Sequence, residues 1–301
     1  MSDYTYTLPG MLSGVPLKEY VPLSLLTSFR IGGPARFVAQ PENEEQLLKV
    51  LAVCHTTGCP YRVLGNGSNT LAPDAGYNGL ILLIDKPFSP LRFDHCRLIC
   101  SAGETLSSAA KTSVAHGFRG MEGLEGIPGS VGGACAMNAG AYGYEIKQIL
   151  RSVHFWRNGE VFETAVSDAD LSYRKSAFSA PDTILISAVF ELQPDDGFSE
   201  ERMLAFGARR KEKQPLELPS AGSAFKRPEG NFAGTLIENA GLKGMRCGGA
   251  AVSEKHAGFI VNLGGATERD VRTLIEAVRQ RVYEASGIML ERELKYWNEV
   301  G

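Results

Sequence analysis

The chain has 301 residues, 44% of them hydrophobic and 22% charged, with a net charge of −3. That length implies more than one compact unit around a substantial core. The slightly acidic balance speaks against a nucleic-acid binder, whose domains carry a strong basic excess. Apolar runs such as Leu80–Ile84 fall far short of the roughly 18 residues that a membrane-spanning helix needs. Met1–Gly14 lacks a basic stretch followed by an apolar one. A cytoplasmic protein is therefore expected. The six cysteines then read as free thiols, and none forms the Cys-x-x-Cys spacing of a zinc site, so no metal is assigned.

In chain order, Met1–Pro22 reads as a loosely docked tail, and Thr27–Pro34 as a short strand ending in a Gly-Gly-Pro turn. Leu47, Leu48, Leu51 and Cys54 recur at helical spacing behind Asn43 as N-cap and ahead of Gly58. The apolar strand Tyr61–Leu64 runs into Gly65-Asn66-Gly67-Ser68-Asn69-Thr70. This loop starts like a dinucleotide fingerprint, but Thr70 stands in place of the third glycine and Pro73 blocks the helix that such a site requires. It reads either as a plain turn or as a nest of backbone amides for an anion. Further strands are expected at Leu80–Ile84 and Arg97–Ser101, with a helix over Thr105–His116.

Gly126–Gly143 holds six glycines in eighteen residues and no charged side chain. It reads as a tight small-residue turn or as a surface built for close backbone approach to a ligand. Asn158-Gly159 between apolar runs marks a hairpin, and Thr183–Leu192 a strand. After the break at Pro194–Gly197, Ser199 opens a helix with a basic tip, Arg209–Lys213, which is either a solvated or an anion-facing edge. A helix over Phe232–Ala240, strands at Ala250–Val252 and Phe259–Asn262, and a long helix follow. Thr267 and Asp270 form a capping box for that last helix and Gly287 stops it. Ile288–Trp297 returns as a strand.

Seven blocks then stand in a specific order: Thr27–Pro34, Leu64–Asn69, Gly126–Ala134, Met137–Gly143, Tyr173-Arg174-Lys175-Ser176, Ala221–Lys226 and Leu290–Glu293. Together they resemble the UDP-N-acetylenolpyruvoylglucosamine reductase family across nearly the whole chain. The resemblance implies an α+β fold with a two-subdomain FAD-binding region, like that of the vanillyl-alcohol oxidases (PCMH type), and a C-terminal α+β substrate domain. The expected division is a tail over residues 1–20, an FAD-binding domain over 21–195 (subdomains 21–84 and 85–195), a substrate domain over 199–295 and a tail over 296–301. FAD is the implied cofactor and NADPH the co-substrate. Together they reduce the enolpyruvyl group of a UDP-sugar to the lactyl ether of UDP-N-acetylmuramate, in peptidoglycan precursor synthesis. An oxidase on the same FAD domain is the alternative, which Ser223 and the basic helix tip disfavour.

Carried over residue by residue, the resemblance makes Arg174 the cation facing the substrate carboxylate, Ser223 the proton donor to carbon and Glu293 an acid at the carboxylate. It assigns FAD contacts to Arg30, Gly65, Asn66, Gly67, Ser68, Asn69, Gly126, Pro128, Gly129, Ser130, Gly133, Asn138 and Gly140, and substrate contacts to Lys213, Lys226 and Arg227. The chemistry suits these residue types. Hydride addition to an enol ether pushes charge into the carboxylate, where cationic and hydrogen-bonding groups are needed, and a pyrophosphate is met by glycine-loop amides. Judged singly, Arg174 could instead pair with Asp170, Ser223 could cap a turn and Glu293 could be an exposed strand residue.

Only residues 177–182 separate the Tyr-Arg-Lys-Ser block from the next strand, which matches the family's smaller subtype without a tyrosine-bearing loop. Arg227 stands where the family often has asparagine, and Leu294-Lys295 replaces Val-Arg. The partner is a nucleotide-sugar, with no nucleic acid or membrane, and a monomer fits.

Overall fold

Helix Glu44–Thr57 begins where the Asn43 side chain accepts the Gln46 N–H and ends at Gly58, whose φ of 66° is the left-handed cap. Glu44 and Glu45 occupy its first turn, where acidic groups suit the helix dipole. The computed structural model describes residues 4–297. The chain divides into two units: one takes the residues up to Glu19 with Arg36–Asn66 and Asn78–Arg209, the other Tyr20–Ala35, Gly67–Tyr77 and the chain from Arg210 onward.

One sheet, whose strands lie mostly in the first unit, runs in the order Leu17–Pro22, Pro34–Ala39, Tyr77–Leu83, Tyr61–Leu64. A second sheet runs Glu160–Ala165, Leu150–Arg157, Thr183–Glu191, Arg97–Ser101, Arg92–Asp94. Asn158 (φ 51°) and Gly159 (φ 95°) make the two-residue turn between the first two of these strands, with both residues at the positive φ that a type I′ hairpin requires. Helix Ser199–Lys213 is fastened within this unit by a buried ion pair. Glu122, 0% exposed, accepts Arg202 Nη2 at 2.8 Å and Nε at 3.1 Å, while its other oxygen takes the Gly120 N–H at 2.6 Å. Arg202 also reaches Asp196 at 3.0 Å.

The second unit carries the sheet Ser220–Ser223, Phe259–Asn262, Ala250–Val252, Arg246–Cys247 under helices Ala233–Asn239 and Glu268–Ser286. Val271, Leu274, Ile275, Val278 and Val282 of the long helix are buried, and its Thr267/Asp270 capping box and Gly287 cap (φ 71°) are formed. Thr267→Ala removes the N-cap acceptor. It is expected to cost about 1 kcal/mol and to lower the unfolding midpoint by about 2–4 °C in calorimetry.

Four expectations need correction. The amino-terminal stretch is not a loose tail: Tyr4–Met11 is a helix, and Leu8 and Leu12 are 0% and 1% exposed in the first unit's core. Pro9 and Gly10 masked it, because in a helix this short they read as breakers. Thr27–Gly33 is a turn rather than a strand, with strand pairing starting at Pro34. The domain boundary does not fall at 195–199. Phe29, Ile31 and Leu71 are buried in one cluster with Ile237, Leu274 and Leu290, which draws residues 20–35 and 67–77 into the second unit. Finally, the last strand shrinks to Lys295–Tyr296, parallel to Thr70–Leu71, and Tyr296 and Trp297, expected in a tail, are 4% exposed. The remainder of the two expected tails, residues 1–3 and 298–301, lies outside the described residues.

Candidate functional site

The loop after strand Tyr61–Leu64 has the properties of an anion cradle. Among the described residues, none accepts a hydrogen bond from the main-chain N–H of Gly65, Asn66, Gly67, Ser68 or Asn69. Consecutive uncommitted amides are donors of the kind that hold phosphate. Their glycines are required by space. A Cβ on Gly65 would run into Ser130 Oγ, and one on Gly67 into the Leu26 carbonyl, while Gly67 also sits at φ 59°. Gly67→Ala should therefore lower the unfolding midpoint and the flavin content of purified protein together, at a cost of about 1–3 kcal/mol for the strained backbone. Scanning fluorimetry and visible absorbance measure the two.

The turn that meets Gly67 is cross-braced. The Ser28 N–H bonds to the Gly67 carbonyl at 3.2 Å, and the Ser28 hydroxyl to the Ser220 carbonyl at 2.7 Å. Arg30 sits at φ 55° with an exposed side chain. Behind it lies a residue not foreseen, Asn262, 6% exposed. Its amide nitrogen donates to the Phe29 carbonyl at 3.1 Å, and its oxygen accepts the Gly264 and Ala266 N–H groups at 2.9 and 3.1 Å. The one sequence signal for it was a polar residue closing the apolar strand Phe259–Asn262.

The Gly126–Gly143 stretch is more committed than expected. The Gly126 N–H goes to Ser107 Oγ at 2.8 Å, and the Gly133 N–H goes to Ser130 Oγ at 3.2 Å. Val131 and Gly132 donate to the Glu104 and Ala102 carbonyls. The main-chain N–H groups of Gly129 and Ser130 are among those that no described residue accepts, with Pro128 exposed beside them. Asn138, expected to touch the cofactor, spends its side chain within the protein. It is 1% exposed, donates to the Ser172 carbonyl at 2.9 Å and accepts the Lys147 N–H at 2.9 Å.

That bond to Ser172 positions Arg174. Tyr173 and Arg174 form the two-residue turn between Leu171–Ser172 and Lys175–Ser176, with Arg174 at φ 56°. Its guanidinium donates to the Gly140 carbonyl at 2.9 Å and the Asn138 carbonyl at 3.4 Å, and it lies over the Tyr173 ring. Arg174 is thus held against the glycine stretch. Asp170 is instead bound by the Ser167 N–H and hydroxyl, which hold its carboxyl below the usual range.

In the second unit, Ser223 ends its strand just past a register irregularity, after Gly222 at φ 73°. Bulges of this kind re-aim side chains. Ser223 is half-buried, and its hydroxyl has no hydrogen-bond partner among the described residues, so it caps no turn. The following residue, Ala224, accepts the Glu293 N–H at 2.9 Å. The Glu293 carbonyl in turn accepts Asn69 Nδ2 at 3.4 Å, which brings Ser223, Glu293 and Asn69 into one neighbourhood. The expected substrate cations are differently placed. Lys213 is exposed, 2.7 Å from Glu212, Lys226 is ion-paired with Glu291, and Arg227 stacks 3.9 Å over the Phe232 ring.

Comparison with known proteins follows this division of labour. Residues 35–165 match an FAD binding domain, and residues 214–297 match the C-terminal domain of UDP-N-acetylenolpyruvoylglucosamine reductase. The chain is 44% identical over 291 residues to the reductase of that name from Caldicellulosiruptor bescii, covering 95% of this chain and 92% of the relative. It is 41% identical over 300 residues to the one from Clostridioides difficile, covering 99% and 98%. The crystal structure of the Thermus caldophilus reductase superposes with a TM-score of 0.78 at 34% identity, covering 94% of this chain and 98% of that one.

Proposed function

The chain belongs to the UDP-N-acetylenolpyruvoylglucosamine reductase family, and from that premise we propose that it reduces UDP-N-acetylglucosamine enolpyruvate to UDP-N-acetylmuramate with NADPH, in the cytoplasm where soluble nucleotide-sugars are made. The observation that carries the reading is the run of uncommitted amides at Gly65–Asn69, which fits a dinucleotide pyrophosphate. When bound, FAD supplies the hydride chemistry, taking a hydride from NADPH and passing one to the enolpyruvyl carbon.

The chain's own residues do the rest. Gly65–Asn69 hold the pyrophosphate by main-chain N–H groups, with Gly129 and Ser130 as further donors and Gly65, Gly126, Gly133 and Gly140 keeping the backbones close. Asn138 is a positioning residue for Arg174. The Arg174 guanidinium stabilises the negative charge that develops on the substrate carboxylate. Ser223 donates its hydroxyl proton to the carbon next to that carboxylate, which requires an approach within about 3 Å and a site from which bulk water is excluded. Glu293 stands beside it at the carboxylate end. Lys213, Lys226 and Arg227 are the cations for the UDP pyrophosphate, and each would have to leave its present neighbour, Glu212, Glu291 and Phe232 respectively. The short 177–182 connection supports the smaller subtype, without a tyrosine loop over the substrate.

Stopped-flow absorbance tests the whole reading. The flavin should bleach with NADPH and recolour rapidly on addition of the enolpyruvyl nucleotide. A flavin that recolours as fast in aerated buffer without that nucleotide would make the protein an oxidase.

A further inference from the structure

Helix Glu44–Thr57 closes with a Schellman ending. Gly58 adopts the left-handed conformation and its N–H bonds to the Cys54 carbonyl, as does the Cys59 N–H at 3.0 Å. This ending brings together the side chains three residues before the last helical position and one after the glycine, normally an apolar pair. Here the two are Cys54 and Cys59, 2% and 3% exposed. The Cys59 thiol faces the Pro60 carbonyl at 3.6 Å. His55, Thr56, Gly58 and Pro60 around them are exposed, so the pair lies one layer beneath the surface, at a helix end where the last turn frays.

We propose that Cys54 and Cys59 form a reversible oxidation site, which hydrogen peroxide converts to an intrachain disulfide and a small dithiol restores. Cys59 reacts first. The neighbouring Cys54 thiol and the Leu80 main chain hold its thiol below the usual range, whereas the same neighbour and burial push Cys54 up, and the thiolate is the nucleophile. The Cys59 sulfur attacks one peroxide oxygen. The S–O bond forms, the O–O bond breaks, and the departing hydroxide takes a proton to leave as water. The Cys54 sulfur then attacks the sulfenic Cys59 sulfur. The S–S bond forms, the S–O bond breaks, and the Cys54 proton departs with hydroxide as a second water. Two electrons pass from the two sulfurs to the peroxide.

The test uses the FAD-loaded enzyme, exposed to hydrogen peroxide, quenched with catalase, denatured, alkylated with N-ethylmaleimide and cut with trypsin. Both cysteines fall in one tryptic peptide, Val50–Arg62, which contains no other. It should pass from the doubly alkylated form to an unalkylated form lighter by two hydrogens, and return on treatment with dithiothreitol before alkylation. In Cys54→Ala, the Cys59 sulfenic acid should be trapped by dimedone. The proposal fails if the peptide stays doubly alkylated at a peroxide dose that oxidises the partly exposed Cys96 or Cys247. It fails equally if Cys54 oxidises at an unchanged rate in Cys59→Ser.

Discussion

Ser223→Ala is expected to slow recolouring of the reduced flavin by the enolpyruvyl nucleotide by about 10²–10⁴-fold, the range for loss of a positioned general acid, while bleaching by NADPH keeps close to its normal rate. Only the second half of the cycle needs a proton on carbon, so the two half-reactions should separate. Two features of the site favour a proton donor over a structural serine. The hydroxyl has no acceptor among the described residues, so alanine removes no internal hydrogen bond, and its backbone follows an irregularity that turns it out of the regular ladder. The unfolding midpoint of the variant should accordingly stay near that of the parent. Equal slowing of both half-reactions would remove Ser223 from the proton-donor role.

Arg202→Ala is expected to be the most damaging single change to stability. It leaves Glu122, whose side chain is 1% exposed, with a single Gly120 N–H and no counter-charge. Breaking a buried pair from one side costs about 3–5 kcal/mol, a fall of roughly 10 °C in unfolding midpoint. Melting curves of parent and variant measure the deficit, and midpoints that coincide would overturn the assignment of this pair as a buried fastening.

Local signals were legible where the chain's own neighbours supply the partners. Asn43 and Gly58, Thr267 with Asp270 and Gly287, and Asn158-Gly159 all act within a few residues of themselves, and each does what its type suggests. What escaped was the set of distant partners. Phe29, Ile31 and Leu71 announce themselves as apolar, but nothing near them in sequence says that their core is built by Ile237 and Leu274. Asn138 shows the same limit within the site. Its residue type suits a ligand contact, and only the folded positions of Lys147 and Ser172 reveal that both ends of the amide are used. The neighbourhood of Ser223 and Glu293 depends on a pairing between segments about seventy residues apart, which motif order could imply but spacing could not.

The second unit's assembly from three separated pieces of chain bears on how the protein comes to be folded at all. During synthesis, residues 20–35 and 67–77 emerge long before the helix Glu268–Ser286 against which their apolar side chains pack. Contacts of such long sequence separation form slowly, because the loop between them must be closed first. Phe29, Ile31 and Leu71 therefore wait, exposed to solvent, until nearly the whole polypeptide has left the ribosome. Truncated or stalled chains should be aggregation-prone through these few residues, and a nascent-chain protease assay should find the 20–35 segment cleavable until the last helix is released.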